Sequence, residues 1–261
     1  MREPQFLTVG TGTQARDIAY HHDAASRADR VGIFWLSGFM SDMASTKASA
    51  LADYASRHDL EYTRFDYSGH GVSGGAFIDG TIGRWLEEAR AVFLQISTGP
   101  QIVIGSSMGG HIALLLLKSL RGEAVEPPNN IKALILIAPA WDMTEELMWK
   151  KFPEEARRDI IEHGFHQRPS AYAEPYTITR ALIEDGRRHL LAREAFDPGC
   201  PVIILQGLQD PDVPAAHTRE LVQFLKGSSV QLIEIADGEH RLSRPEDLEK
   251  LYAAVATLVV N

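Results

Sequence analysis

The sequence predicts an α/β fold: a mostly parallel, doubly wound sheet with helices on both faces and a helical insertion at one end. Three observations carry this. Short runs rich in Val, Ile and Leu recur along the chain, each is followed by a turn cluster, and a helical pattern comes next. The runs are continuously apolar and do not alternate, which marks strands buried on both faces, the condition of a parallel sheet. Strand and helix alternating in this way build a doubly wound sheet.

Taken in order, "FLTVGTGTQARDIAYHHD" (6–23) suits an antiparallel hairpin at a sheet edge. The apolar runs are "VGIFWLSG" (31–38), "YTRFDYSG" (62–69), "QIVIGSS" (101–107), "IKALILIAPA" (131–140), "PVIILQG" (201–207) and "VQLIEIA" (230–236). Helical patterns cover 43–57, 81–96, 109–121, 215–226 and 244–259. The last opens on "SRPE", where Ser243 can cap and Glu246 stands at the capping-box position. From Trp141 to Asp197 the rhythm breaks into charged, helical sequence such as "EPYTITRALIEDGRRHLL", without a convincing core strand. We therefore expect one domain with its core in 1–140 and 198–261 and a helical lid or cap in 141–197. A longer crossover carrying extra helices is the plainer alternative.

Composition narrows the function. The chain of 261 residues is 44% hydrophobic and 23% charged with net charge −9, the profile of a soluble globular protein. That charge argues against nucleic acid and against a strongly anionic membrane surface, both of which need clustered Lys and Arg. The longest aliphatic stretch, "IALLLL", is too short to span a bilayer, and "MREPQFLTVG" shows no secretory signal, so a soluble, cytoplasmic protein is expected. Its one cysteine, Cys200, excludes an internal disulfide, fits a reducing compartment and reads as an inert, partly buried thiol.

The chemistry concentrates in "GSSMG" (105–109), where Gly105, Ser107 and Gly109 match G-x-S-x-G between a strand and a helix. There a serine is forced into a strained conformation that projects its hydroxyl above the sheet, and its neighbours two positions away must lack side chains. The following helix aims its amide end at the place where an oxyanion forms. Ser107 holds the central position; Ser106 faces the other way along the strand end.

A serine hydroxyl needs an oriented base, and in this architecture the partners follow in the order Ser, acid, His. Asp210 in "LQGLQDPDVP" sits just past a strand end, with Asp212 beside it and Asp142, after "IAPA", as alternatives. His240 in "ADGEHRLSRPE" lies between the last strand and the final helix, free to reach inward. His111 reads as helix surface or pocket wall, and His70 and His217 lack the required chain order. The oxyanion donors are the backbone amides of Met108 and of Phe39, in the loop after the first parallel strand.

Two other patterns are set aside. "GHGVSG" (69–74) matches G-x-G-x-x-G, but "GAFIDG" separates it from the next helix, so it does not read as a dinucleotide site. "HHD" (21–23) sits on strand-like sequence that sends neighbouring side chains to opposite faces, and no H-E-x-x-H or C-x-x-C is present, so no metal and no cofactor are expected.

These residues resemble the α/β-hydrolase superfamily. Within it, "GFMSDMASTKA", "RFDYSGHGVSGG", "TIGRW", "GSSMGG", "QGLQDPDVP" and "DGEHR" resemble the alpha/beta-hydrolase domain-containing protein 10 group. Animal members of that group are mitochondrial acyl-protein thioesterases and acyl-glucuronide esterases. The resemblance implies the α/β-hydrolase fold, Ser107 as nucleophile, Asp210 as acid, His240 as base and the Phe39 and Met108 amides as oxyanion donors. No transit peptide is visible, so the mitochondrial location is not carried over. The expected activity is hydrolysis of a carboxylic ester or thioester through an acyl-enzyme, on a small-molecule ester or an acylated protein. A carbon–carbon bond hydrolase or small peptidase on the same fold, and a non-catalytic binding module, are the alternatives. Trp141, Met143, Leu147, Met148, Trp149 and Phe152 recur at helical spacings that suit core packing or the wall of an acyl pocket.

Overall fold

The computed structural model of the protein describes residues 3–27, 30–121, 130–168, 176–191, 193–227 and 229–259. Strands β1 (Gln5–Val9), β2 (Arg16–Asp23), β3 (Gly32–Leu36), β4 (Tyr62–Phe65), β5 (Pro100–Ser106), β6 (Asn130–Ile137), β9 (Val202–Gly207) and β10 (Val230–Ile235) form one sheet. Its order is β1-β2-β4-β3-β5-β6-β9-β10. β1 pairs with β2, and β2 with β4, antiparallel; every pair from β4 through β10 is parallel. The mostly parallel, doubly wound sheet and its antiparallel edge are as the sequence predicts.

The continuous apolar runs have a direct structural reason. A strand sends successive side chains to opposite faces, and here each face has its own core. Phe34, Leu36, Val103, Leu134, Leu136 and Ile204 point to one side. They pack there with Trp85, Val92 and Phe93 of α2 (Ile82–Gln95) and Ile112 of α3 (Met108–Arg121). Ile33, Trp35, Ile102, Ile104, Ile135 and Leu205 point to the other. They meet Leu51 of α1 (Thr46–His58) and Leu251 and Val255 of α7 (Pro245–Val259). Where a buried strand position is polar, as at Gln206 in β9, the side chain is hydrogen-bonded, here to the Val213 carbonyl and Thr218 Oγ1.

Element ends differ from the sequence reading where a side chain intervenes. α1 begins at Thr46, not 43, because Asp42 Oδ1 accepts the Ala44 amide and its carbonyl accepts the Ser45 amide, closing a turn first. β4 stops at Phe65, because Asp66 turns its carboxylate onto the amides of Met43 and Val72. The cap of α7 is also displaced. Ser243 donates to the Arg241 carbonyl, while Asp247 accepts the Arg244 amide at 3.1 Å. Pro245 takes the first helical position, which suits its fixed φ and missing N–H, so the reciprocal capping carboxylate is Asp247 and not Glu246.

The interval 141–197 holds a π-helical turn (Thr144–Met148), a 3-10 turn (Trp149–Lys151), α4 (Glu154–His163), a strand pair β7 (Phe165–Arg168) and β8 (Tyr176–Thr179), and α5 (Arg180–Arg188). The antiparallel β7–β8 ladder was not expected; "FHQR" is half-exposed and polar and carries no strand pattern. Glu174 and Pro175 of the stretch quoted above lie outside the described residues. Trp141, Met143, Met148, Ile178 and Leu182 join the same apolar cluster as Trp85. Asp185 adds a polar tie by accepting the Gly83 amide at 2.6 Å.

A Cβ on Gly105 would overlap the Gly109 carbonyl, and one on Gly109 would overlap the carbonyls of Leu36 and Ser37. Both obstacles are backbone and cannot rotate away. Gly105→Ala is expected to cost about 3 kcal/mol or more of stability, read from urea unfolding midpoints; a loss under about 0.5 kcal/mol would contradict this packing.

Candidate active site

The tight glycine crossing makes Ser107 the pivot between β5 and α3. Its φ is +54°, a left-handed conformation that a non-glycine residue adopts only when held. The hold is visible: its amide donates to the Ile137 carbonyl at 2.8 Å, and its carbonyl accepts the amides of Gly110 at 2.9 Å and Ala140 at 3.0 Å. Ser106 ends β5 almost fully buried.

The structure brings Ser107, His240 and Asp210 into one hydrogen-bonded chain. His240 Nε2 lies 3.1 Å from Ser107 Oγ, and its Nδ1 lies 2.8 Å from Asp210 Oδ2. Asp210 Oδ1 accepts the amides of Asp212 and Val213, each at 2.8 Å, so both carboxylate oxygens are engaged and the side chain is fully buried. An ionised carboxylate is acceptor-only, which places the proton on Nδ1 and leaves the Nε2 lone pair facing the serine hydroxyl. That tautomer can take the Ser107 proton. Gln206 steadies the Asp210 loop, donating to the Val213 carbonyl at 3.0 Å and accepting from Thr218 Oγ1 at 2.5 Å.

Among the described residues, Asp210, and neither alternative acid, is hydrogen-bonded to His240. Asp212 is exposed and meets Asp210 through its backbone amide. Asp142 is buried and accepts the Leu191 amide at 2.8 Å, and burial pushes its carboxyl up to about 6. One donor atom each from Asp210, Asp212 and His240 falls within 4.8 Å of the others. Both imidazole nitrogens of His240 are already engaged, which fits a proton relay better than a metal ligand.

His111 departs from its expected place on a helix surface or pocket wall. It is 1% exposed, its Nδ1 accepts the Asp142 amide at 3.2 Å, and burial holds its imidazole down to about 3. α3 is buried on nearly every side here, so the residue has no open face to occupy. His217 lies within α6 (Ala215–Phe224), where its Nε2 donates to the Trp141 carbonyl and Trp141 Nε1 returns a bond to the His217 carbonyl. Cys200 is buried, which raises its thiol to about 11 and keeps it protonated.

The loop after β3 passes directly over the serine. A Cβ on Gly38 would sit 3.3 Å from the Ser106 carbonyl and 3.4 Å from Ser107 Cβ. Among the described residues, neither the Phe39 amide nor the Met108 amide donates to a protein acceptor. The Phe39 ring packs edge-on to Phe77, Trp85 and Tyr176, with centroids at 5.1, 5.9 and 5.8 Å.

Two residues at this edge have roles the sequence did not reveal: His70, set aside above for its place in the chain order, and Lys47, which was not singled out. His70 is 5% exposed and its Nε2 accepts the Met40 amide at 3.1 Å. Lys47, reaching from α1, donates to the Arg241 carbonyl beside His240 and lies 3.3 Å from Ser243 Oγ; burial and the nearby Arg241 charge bring its ammonium down to about 8. Nothing local marks either one, since each matters through a contact distant in sequence.

The sequence profile of the alpha/beta hydrolase family matches residues 32–251. The bovine protein named "Palmitoyl-protein thioesterase ABHD10, mitochondrial" is 29% identical over 232 residues, covering 87% of this chain and 72% of the bovine one. A putative hydrolase from Agrobacterium vitis S4 superimposes with a TM-score of 0.95 at 44% identity, covering 98% of both chains. Mouse alpha/beta hydrolase domain-containing protein 10 superimposes with a TM-score of 0.83 at 26% identity over 99% of this chain and 98% of its own. The bovine name places that protein in the mitochondrion, so the cytoplasmic expectation draws no support from it. No helix among the described residues is long and apolar enough to cross a membrane.

Asp142 offers a pH test of its part. Its pKa is raised in the fold from the ordinary 3.8 to about 6, so between those values the folded chain binds more protons and stability falls as pH rises. Asp142→Asn keeps the Leu191 acceptor and suits the φ of +50° at this position. It is expected to add about 1–3 kcal/mol at pH 7.5 and to flatten the stability slope between pH 4 and 6. Unfolding midpoints across pH check this; a variant less stable at pH 7.5 would refute it.

Proposed function

The chain belongs to the alpha/beta hydrolase family, and from that membership we propose that it cleaves carboxylic esters or thioesters through an acyl-enzyme on Ser107. The observation that carries the reading is the unbroken relay from Ser107 Oγ through His240 to Asp210, at 3.1 and 2.8 Å. His240 Nε2 takes the Ser107 proton as Oγ attacks the acyl carbon. The imidazolium then protonates the departing alkoxide or thiolate, and the same nitrogen later activates water to release the acid. Asp210, held by two amides and the imidazole, fixes the tautomer and steadies the imidazolium. The amides of Phe39 and Met108 receive the oxyanion.

Thioester and long-chain acyl preference finds support in two places. The bovine relative carries a name that describes a palmitoyl-protein thioesterase. The interval 141–197, read as a lid, puts Tyr176 against Phe39, so an apolar acyl chain leaving Ser107 on that side would meet aromatic rings. Met40 and Leu208 extend the apolar border as exposed side chains on the loops after β3 and β9.

A fluorophosphonate probe is expected to label Ser107, and Ser107→Ala to lower kcat on p-nitrophenyl esters and acyl thioesters by at least about 10⁴-fold. Asp210→Asn should cost about 10³- to 10⁴-fold through the wrong imidazole tautomer. Activity rising with acyl length from C2 to C8 supports the acyl wall, and a flat profile argues against it. Retained turnover in Ser107→Ala would defeat the reading.

A further inference from the structure

We infer that His70 is a positioning residue of this site: its Nε2 accepts the Met40 amide and thereby fixes the turn that aims the Phe39 amide at Ser107. The inference rests on the reading of Ser107 as nucleophile and adds to it a residue that touches neither substrate nor serine.

The turn is tight and strained. Ser41 donates its amide to the Gly38 carbonyl at 3.1 Å, and Met40 has φ +58°. A positive φ at the third residue of such a turn, with none at the second, defines type II, normally glycine's place. Methionine is costly there, and its side chain stands half in solvent, where packing does little to hold it. Rotating the Phe39–Met40 peptide unit would relieve φ at Met40 by converting the turn to type I. The hydrogen bond from that same peptide's N–H to His70 opposes the rotation.

His70 itself cannot yield. Its Nδ1 donates to the Ser68 carbonyl at 3.2 Å, which leaves Nε2 as the acceptor. Its ring is wedged against Tyr67, Phe77 and Trp85, with centroids at 5.9, 5.3 and 5.3 Å. Phe77 and Trp85 also clasp the Phe39 ring. Phe39 is therefore fixed at its side chain and at its following peptide by one group of rings. Only neutral imidazole can accept from Met40, and burial lowers the pKa of His70, which favours that form. The Ser68 carbonyl and the Asp42 carboxylate act in the opposite sense, as lesser influences.

The experiment uses the full chain and p-nitrophenyl acetate. His70→Leu fills the space without an acceptor; His70→Gln places a carbonyl oxygen near the position of Nε2; His70→Asn is too short to reach Met40. Expected is a fall in kcat of about 10- to 100-fold for the Leu and Asn variants with KM within about twofold, and recovery to within about fivefold of the parent for the Gln variant. Should the Leu variant fail to fold, the Asn and Gln pair carries the comparison. An unchanged kcat in the Leu or Asn variant overturns the inference, as does a Gln variant no better than either. Fluorophosphonate labelling of the parent separates the two levels. An adduct on Ser107 with unaffected His70 variants removes this inference alone, whereas no adduct on Ser107 removes the nucleophile reading beneath it.

Discussion

The close crossing of β5 and α3 is the constraint on which the rest of the site depends. Three chain segments meet where no side chain fits: Gly105 against the Gly109 carbonyl, and Gly109 against the end of β3. Bringing the backbones that near leaves Ser107 a turn of one residue, which forces its φ to +54°. The strain is stabilised by the Ile137 carbonyl and the Ala140 amide of the neighbouring strand end. Because those bonds come from the end of β6 and the loop that follows it, the hydroxyl at 107 is fixed relative to the sheet, and both partners of the relay can be placed by loops of the same sheet.

Strain is not confined to the serine. Among the described residues, five of the seven non-glycine residues with positive φ, namely Met40, Ser107, Ala138, Asp142 and Leu242, follow β3, β5, β6, β6 and β10 at the carboxyl edge of the parallel sheet. Backbone in sparsely populated regions persists only where surroundings over-determine it. Here those surroundings are the two apolar cores below the edge and a set of buried polar side chains within it. The sheet supplies rigidity, and its edge uses that rigidity to hold conformations an isolated loop would abandon.

What the sequence could tell divides along the same line. Strands β3, β5, β6 and β9 were legible because burial on both faces favours continuous apolar runs, and the turn at Ser107 was legible because backbone crossing demands glycine. Ser107, Asp210 and His240 were legible from chain order, and the structure brings all three together. The β7 strand was not, since its polar residues are stabilised by pairing with β8 and not by a core. Nor was the burial of His111: a histidine on an amphipathic helix looks like surface until the helix is seen enclosed on nearly every side. The Ser243 cap failed because Pro245 moved the helix start by one residue and handed the role to Asp247.

The polar groups that hold the edge explain why precision there comes from chemistry distant in sequence. Asp66 takes amides from the turn before α1 and from its own loop, His70 takes the Met40 amide, Gln206 grips Val213, and Lys47 reaches from α1 to the Arg241 carbonyl. Gln206 ties β9 to its own loop, whereas Asp66, His70 and Lys47 each reach a segment distant in sequence, so those three cannot be recognised from their neighbours in the chain. An apolar contact in their place would position a loop only loosely, because burial is non-directional, whereas a hydrogen bond to one amide selects one peptide orientation. A relay that must keep an imidazole within 3.1 Å of a hydroxyl has need of that selection. The buried polar residues of this edge are therefore better understood as part of the site's geometry than as tolerated exceptions within the core.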